Sequence, residues 1–72
     1  MNDFKKVLGE RIRSLRDKAG LSLSALEAES GIPKATISKI ENGHRNPRIE
    51  TLVKIAQGLK VKLKDLFDFE ED

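Results

Sequence analysis

Apolar residues recur along this chain at helical spacing, in five separate stretches. Phe4, Val7, Leu8, Ile12 and Leu15 follow i, i+3, i+4, i+8 and i+11, a single stripe that leaves Lys5, Lys6, Arg13 and Lys18 off it. Gly20 is a suitable stop for that helix. A second helix starts from Ser22 as N-cap, with apolar Leu23 and Leu26 and small Ala25 and Ala28. Gly31 then allows the positive φ of a tight inter-helix turn. The third helix is predicted over residues 33–42. Pro33 sits in its first turn, where a missing N–H costs nothing, Ile37 and Ile40 face inward, and Gly43 ends it. Residues 44–47 form a loop, since Pro47 disfavours helix at Asn46. Ile49, Leu52, Val53, Ala56 and Leu59 define a fourth helix, with Leu52, Val53 and Ala56 in the core. Leu63, Leu66 and Phe67 mark a short fifth over residues 63–67. There is no internal repeat and no alternating run long enough for a sheet. The expected fold class is all-α, a compact five-helix domain.

Composition narrows what such a domain can be. Seventy-two residues suffice for one small core, and 36% charged residues give it a heavily solvated surface. Domains of this size commonly gain stability from disulfides, metals or association. The chain has no cysteine, and its single histidine makes a zinc site unexpected. Association with a second copy is the remaining route. No apolar run is long enough to cross a membrane, and the N-terminus lacks the apolar core of a signal peptide, so a cytoplasmic protein is expected.

The charge is unevenly placed. Net charge is +2, yet residues 68–72, DFEED, hold four of the twelve acidic residues. Residues 1–67 therefore carry 14 basic and 8 acidic groups, a balance of +6. This divides the chain into a basic domain, 1–67, and a short acidic tail, 68–72. A positive body suits a polyanionic partner. Catalysis is not expected: there is no Cys/His pair, no metal cluster and no glycine-rich phosphate loop, and Asp17 and His44 have no third partner. Neither a cofactor nor a small-molecule substrate is indicated.

Residues 21–43, LSLSALEAESGIPKATISKIENG, carry the most information. Two short helices flank Gly31, and the second sets Lys34, Thr36, Ser38 and Lys39 beside inward Ile37 and Ile40. That is the pattern of a helix-turn-helix, one helix bracing another that can enter a DNA major groove. The phosphates of double-stranded DNA demand compensating cations, which Lys34, Lys39, Arg45 and Arg48 can supply. The starts of the second and fourth helices add backbone N–H donors. Lys34 and Lys39 can donate to guanine, Thr36 can bond a base or a phosphate, and the Ala35 methyl can pack on thymine.

From about Leu8 to Phe67 the chain resembles the DNA-binding domains of the Cro/C1-type (XRE) family of transcriptional regulators. The resemblance runs through LGERIRSLRDKAGLS, SGIPKATISKIENG, RNPRIETLVKIAQGLKV and KDLF, in that order. It implies a lambda-repressor-like five-helix bundle whose second and third helices form the helix-turn-helix. It further implies base contacts from Lys34, Ala35, Thr36, Ser38 and Lys39, and phosphate contacts from Ser22, Ser24, Asn42, His44, Arg45 and Asn46. Arg16 and Glu41 match a structural ion pair between the first and third helices. Two positions depart from the family pattern. Leu23 stands where many members place a phosphate-binding glutamine. Glu27 stands where alanine is usual, so either its side chain angles outward or Ala28 takes over the close helix approach.

Helix-turn-helix proteins usually pair, placing two recognition helices one DNA turn apart. Val61, Leu63, Leu66, Phe67 and Phe69 exceed what so small a core can enclose, so a symmetric homodimer through the fifth helix and its flanks is expected. The functional expectation is a sequence-specific transcription regulator on an inverted repeat, with RNA polymerase or a toxin-like protein as conceivable further partners. The alternative is an antitoxin or adaptor that chiefly masks a protein partner.

Overall fold

The computed structural model describes residues 3–69. Four α-helices follow one another: α1 (Phe4–Lys18), α2 (Leu23–Ser30), α3 (Lys34–Glu41) and α4 (Ile49–Leu59), and a 3-10 helix (Leu63–Phe67) closes the described chain. There is no strand among the described residues. No helix among them is long and apolar enough to span a membrane, and no cluster of His, Asp or Glu could hold a metal ion.

Local chemistry sets the helix ends. Asp3 caps α1 by accepting from the Lys6 N–H, and the Ser22 hydroxyl caps α2 by accepting from Ala25 N–H over 3.0 Å. Gly31, at φ +76°, makes the left-handed turn between α2 and α3, which a side chain would strain. Pro33 lies one position before the helix that was expected to begin on it. Its backbone is extended, at ψ 137°, so it flanks α3 instead of forming its first turn.

The fifth element is not an α-helix. Only five residues lie between Lys62 and Asp68, and the turn is closed by Asp65, whose N–H donates to Lys62 O while its carboxylate accepts from Lys62 N–H, both over 2.9 Å. Arg11 Nε on α1 donates over 2.9 Å to Asp65 O, a carbonyl that also accepts from the Asp68 N–H at the end of the turn.

One core runs through all five elements: Leu8, Ile12, Leu26, Ile32, Ile37, Ile40, Leu52, Ile55, Ala56, Leu59 and Leu66. Not every position on the expected stripes is buried: Val7, Leu15 and Leu23 are half-buried. Phe4 is 52% exposed and Ile49 60% exposed, each in the first turn of its helix, and Val53 is only half-buried. Ile55 lies in the core instead, so the buried stripe of α4 is 52, 55, 56 and 59. The α2–α4 contact decides that rotation. At Gly58 a β-carbon would stand 3.0 Å from Leu26 Cδ1 and from Ser30 Cβ, so α4 turns its glycine toward α2. Ala28 is exposed and does not make the close approach to a neighbouring helix, while Glu27 is half-buried.

Candidate nucleic-acid interface

The α3 helix divides cleanly. Ile37, Ile40 and Glu41 are buried, an i, i+3, i+4 pattern that points one side at α1 and the core. At about 100° per residue, the opposite ridge carries Ala35, Ser38, Lys39 and Asn42. Ala35, Lys39 and Asn42 are exposed and Ser38 is half-buried. Lys34 and Thr36 stand on opposite flanks of this ridge. Lys34 Nζ donates toward Ser24 Oγ of α2 at 3.4 Å. Thr36 turns to the α3–α4 loop, lining a cleft of about 390 Å³ with Ile40, Arg45, Asn46, Pro47, Arg48 and Thr51.

The inward side of α3 is held by a fully engaged ion pair. Arg16 of α1 donates from Nε to Glu41 Oε2 over 2.7 Å and from Nη2 to Oε1 over 2.9 Å. Its Nη1 donates to Leu21 O over 2.9 Å, tying in the α1–α2 turn. The hydrogen bond to Glu41 raises the Arg16 pKa above its ordinary value. Stability from a raised pKa is present below the unfolded value and lost only above it, so the guanidinium stays charged throughout the neutral range. Gly9 adds close packing: a β-carbon there would meet the backbone oxygens of Ile40 and Glu41. Together these contacts set the depth and angle of α3 on α1.

Around the ridge, the structure gathers the loop residues into the same region. His44, Arg45 and Asn46 are exposed, and His44 N–H donates to Lys39 O over 2.9 Å, folding the loop back along the end of α3. Arg48 is the N-cap of α4 and its side chain makes no cap bond, so the first N–H groups of α4 have no side-chain acceptor. Ser22 and Ser24 are exposed at the start of α2. Asn42 stands apart from the other polar positions, because its amide is turned onto its own helix and donates to Ser38 O over 2.9 Å.

Thr51, which the hydrophobic pattern does not mark, lines the same cleft as Thr36. A threonine within one turn of a helix start, beside Arg48, is the signal that could have found it. At the C-terminal end, Leu66 is fully buried in its own chain, so it is not available to a second copy; its side chain fills the core between α1 and α4. Val61, Leu63 and Phe69 are half-buried against the core, and Phe67 is 43% exposed. Residues 70–72 of the acidic tail lie outside the described residues.

A short helix braced by a second across a glycine turn, with a polar, lysine-bearing ridge outward, defines the helix-turn-helix class of DNA-binding proteins. Residues 12–66 match the HTH_3 helix-turn-helix family, and the chain belongs to it, among the XRE-type DNA-binding transcriptional regulators. The HTH-type transcriptional regulator SlrR of Bacillus subtilis (strain 168) is 43% identical over 65 residues, covering 89% of this chain. This chain spans only 43% of SlrR's length. Control protein C.MunI of Mycoplasma sp is 38% identical over 74 residues, the whole of both chains. Among solved structures, the restriction-modification controller protein C.AhdI from Aeromonas hydrophila superposes with a TM-score of 0.86, at 32% identity over 88% of this chain and 91% of that one.

Proposed function

We propose that this protein regulates transcription by laying α3 in the DNA major groove and reading sequence there, as a homodimer on an inverted repeat. The observation that carries this reading is the outward ridge of α3, flanked on one side by Lys34 and Ser24 and on the other by the Arg45–Arg48 cleft. Ala35, Ser38 and Lys39 on the ridge, with Lys34 and Thr36 at its edges, reach base edges, while the start of α2, the α3–α4 loop and the open start of α4 meet the two phosphate strands. Ser22, Ser24, His44, Arg45 and Asn46 are assigned to phosphates, joined by Arg48 and Thr51. Lys34, Ala35, Thr36, Ser38 and Lys39 are assigned to bases. Relatives named as a transcriptional regulator and a control protein support the regulatory role.

The pairing surface is assigned to Val61, Leu63, Phe67 and Phe69, without Leu66. Selection of bound sequences from a random duplex pool, read at two salt concentrations, tests the reading. Enriched inverted repeats are expected, with affinity falling steeply as salt rises. A pool that yields no enrichment defeats it and favours a module that binds protein. Sedimentation at high micromolar concentration, with and without DNA, tests the dimer; a monomer in both discards it.

A further inference from the structure

The first turn of α1 meets the end of α3 through a residue that has no side chain. A β-carbon on Gly43 would stand 3.0 Å from Lys6 Cα and 3.2 Å from Lys6 Cβ and N. Gly43 also holds φ +74°, so glycine serves both the turn and the close approach. One turn further along α1, Gly9 lies against the backbone of Ile40 and Glu41. Residues 6 and 9 share a side of the helix, so α1 crosses the end of α3 and carries Lys6 past it.

The Lys6 side chain therefore starts beside the loop of His44, Arg45 and Asn46, which the His44 N–H bond to Lys39 O folds back along α3. All four of these residues are exposed. Two carboxylates neighbour Lys6 on α1. Asp3 caps the helix by accepting from the Lys6 backbone N–H, and Glu10 lies exposed one turn on. Neither forms an ion pair with the Lys6 ammonium, nor does any other carboxylate among the described residues. A recognition helix that puts its N-terminal residues on bases leaves its far end, and the loop after it, to the DNA backbone. We propose that Lys6 binds a backbone phosphate on the strand met by the α3–α4 loop, so that α1 is part of the DNA interface. An ammonium on a flexible stem suits this, as a point charge that adds affinity and carries no sequence information. This rests on the DNA-reading function proposed above.

The test titrates the full chain against the duplex recovered by selection and against an unrelated duplex, over a range of salt concentrations. Lys6→Ala should flatten the slope of log affinity against log salt by about 0.9 for each bound subunit. It should weaken both duplexes by the same factor, leaving the preference between them unchanged. Lys6→Gln, which keeps an aliphatic stem beside Gly43, should behave as Lys6→Ala, and Lys6→Arg should keep the wild-type slope. Lys60→Gly is the control for net charge. It removes a lysine from the far end of α4, about 16 Å from the helix start, at a φ of 60° that glycine takes freely. Its slope should equal that of wild type. Melting curves identify any variant that fails to fold, and Lys6→Gln carries the test if Lys6→Ala does. A wild-type slope in either folded neutral variant of Lys6 overturns the proposal, as does equal flattening by Lys60→Gly or by Lys6→Arg. A loss of affinity confined to the selected duplex overturns it too. Each of these results leaves the DNA-reading function standing, whereas a wild type that binds no duplex removes both.

Discussion

The two sides of α3 differ in how completely their chemistry is satisfied within the chain. Inward, Ile37 and Ile40 are packed on all sides, and both oxygens of Glu41 accept from Arg16. Outward, Ala35, Lys39 and Asn42 lie in solvent, with Ser38 half-buried beside them. Eight residues thus carry both the fold and the reading surface, on opposite sides of one rod. The difference teaches that stability and recognition can be altered separately, although they share a helix.

Substitutions can break that separation or sharpen it. The largest effect is expected from Ile40→Asp, which puts an unpaired carboxylate among Ile12, Ile37 and their neighbours; circular dichroism should show no cooperative melt. Arg16→Ala leaves Glu41 buried without its cation and should cost about 3–5 kcal/mol by urea unfolding. A double change of Arg16 to Met and Glu41 to Leu should recover most of that loss, because no charge is then stranded. Gly9→Ala drives a methyl into the backbone oxygens of Ile40 and Glu41, and should lower stability by about 1–3 kcal/mol. It should also weaken DNA binding, since α3 must shift to make room. Lys34→Ala and Lys39→Ala should move unfolding by less than about 0.5 kcal/mol. Each should nevertheless weaken duplex binding by roughly tenfold and flatten its salt dependence. Unchanged duplex affinity in both lysine variants would place the reading face elsewhere.

Much of the molecule was legible from residue spacing. Ile37, Ile40, Leu52 and Leu59 announce themselves because a helix brings every third or fourth side chain to one side, and Gly31 announces a turn because only glycine takes that backbone cheaply. The rotation of α4 was not legible. Ile49, Leu52, Val53 and Ile55 are all apolar, and only the approach of Gly58 to Leu26 selects which of them face inward. Similarly, Leu66 and Phe67 look alike in sequence, yet one fills the core and the other meets solvent.

What the amino-acid order determined by itself was the periodicity, the turn, the basic balance of residues 1–67 and the polar side of the third helix. These are local properties, set by backbone geometry and side-chain chemistry within a few residues. Tertiary structure alone decided the depth of α3 on α1, the cleft between Thr36 and Thr51, and the burial of Leu66. Each depends on which surfaces meet across long stretches of chain, and close packing settles that for the whole core at once.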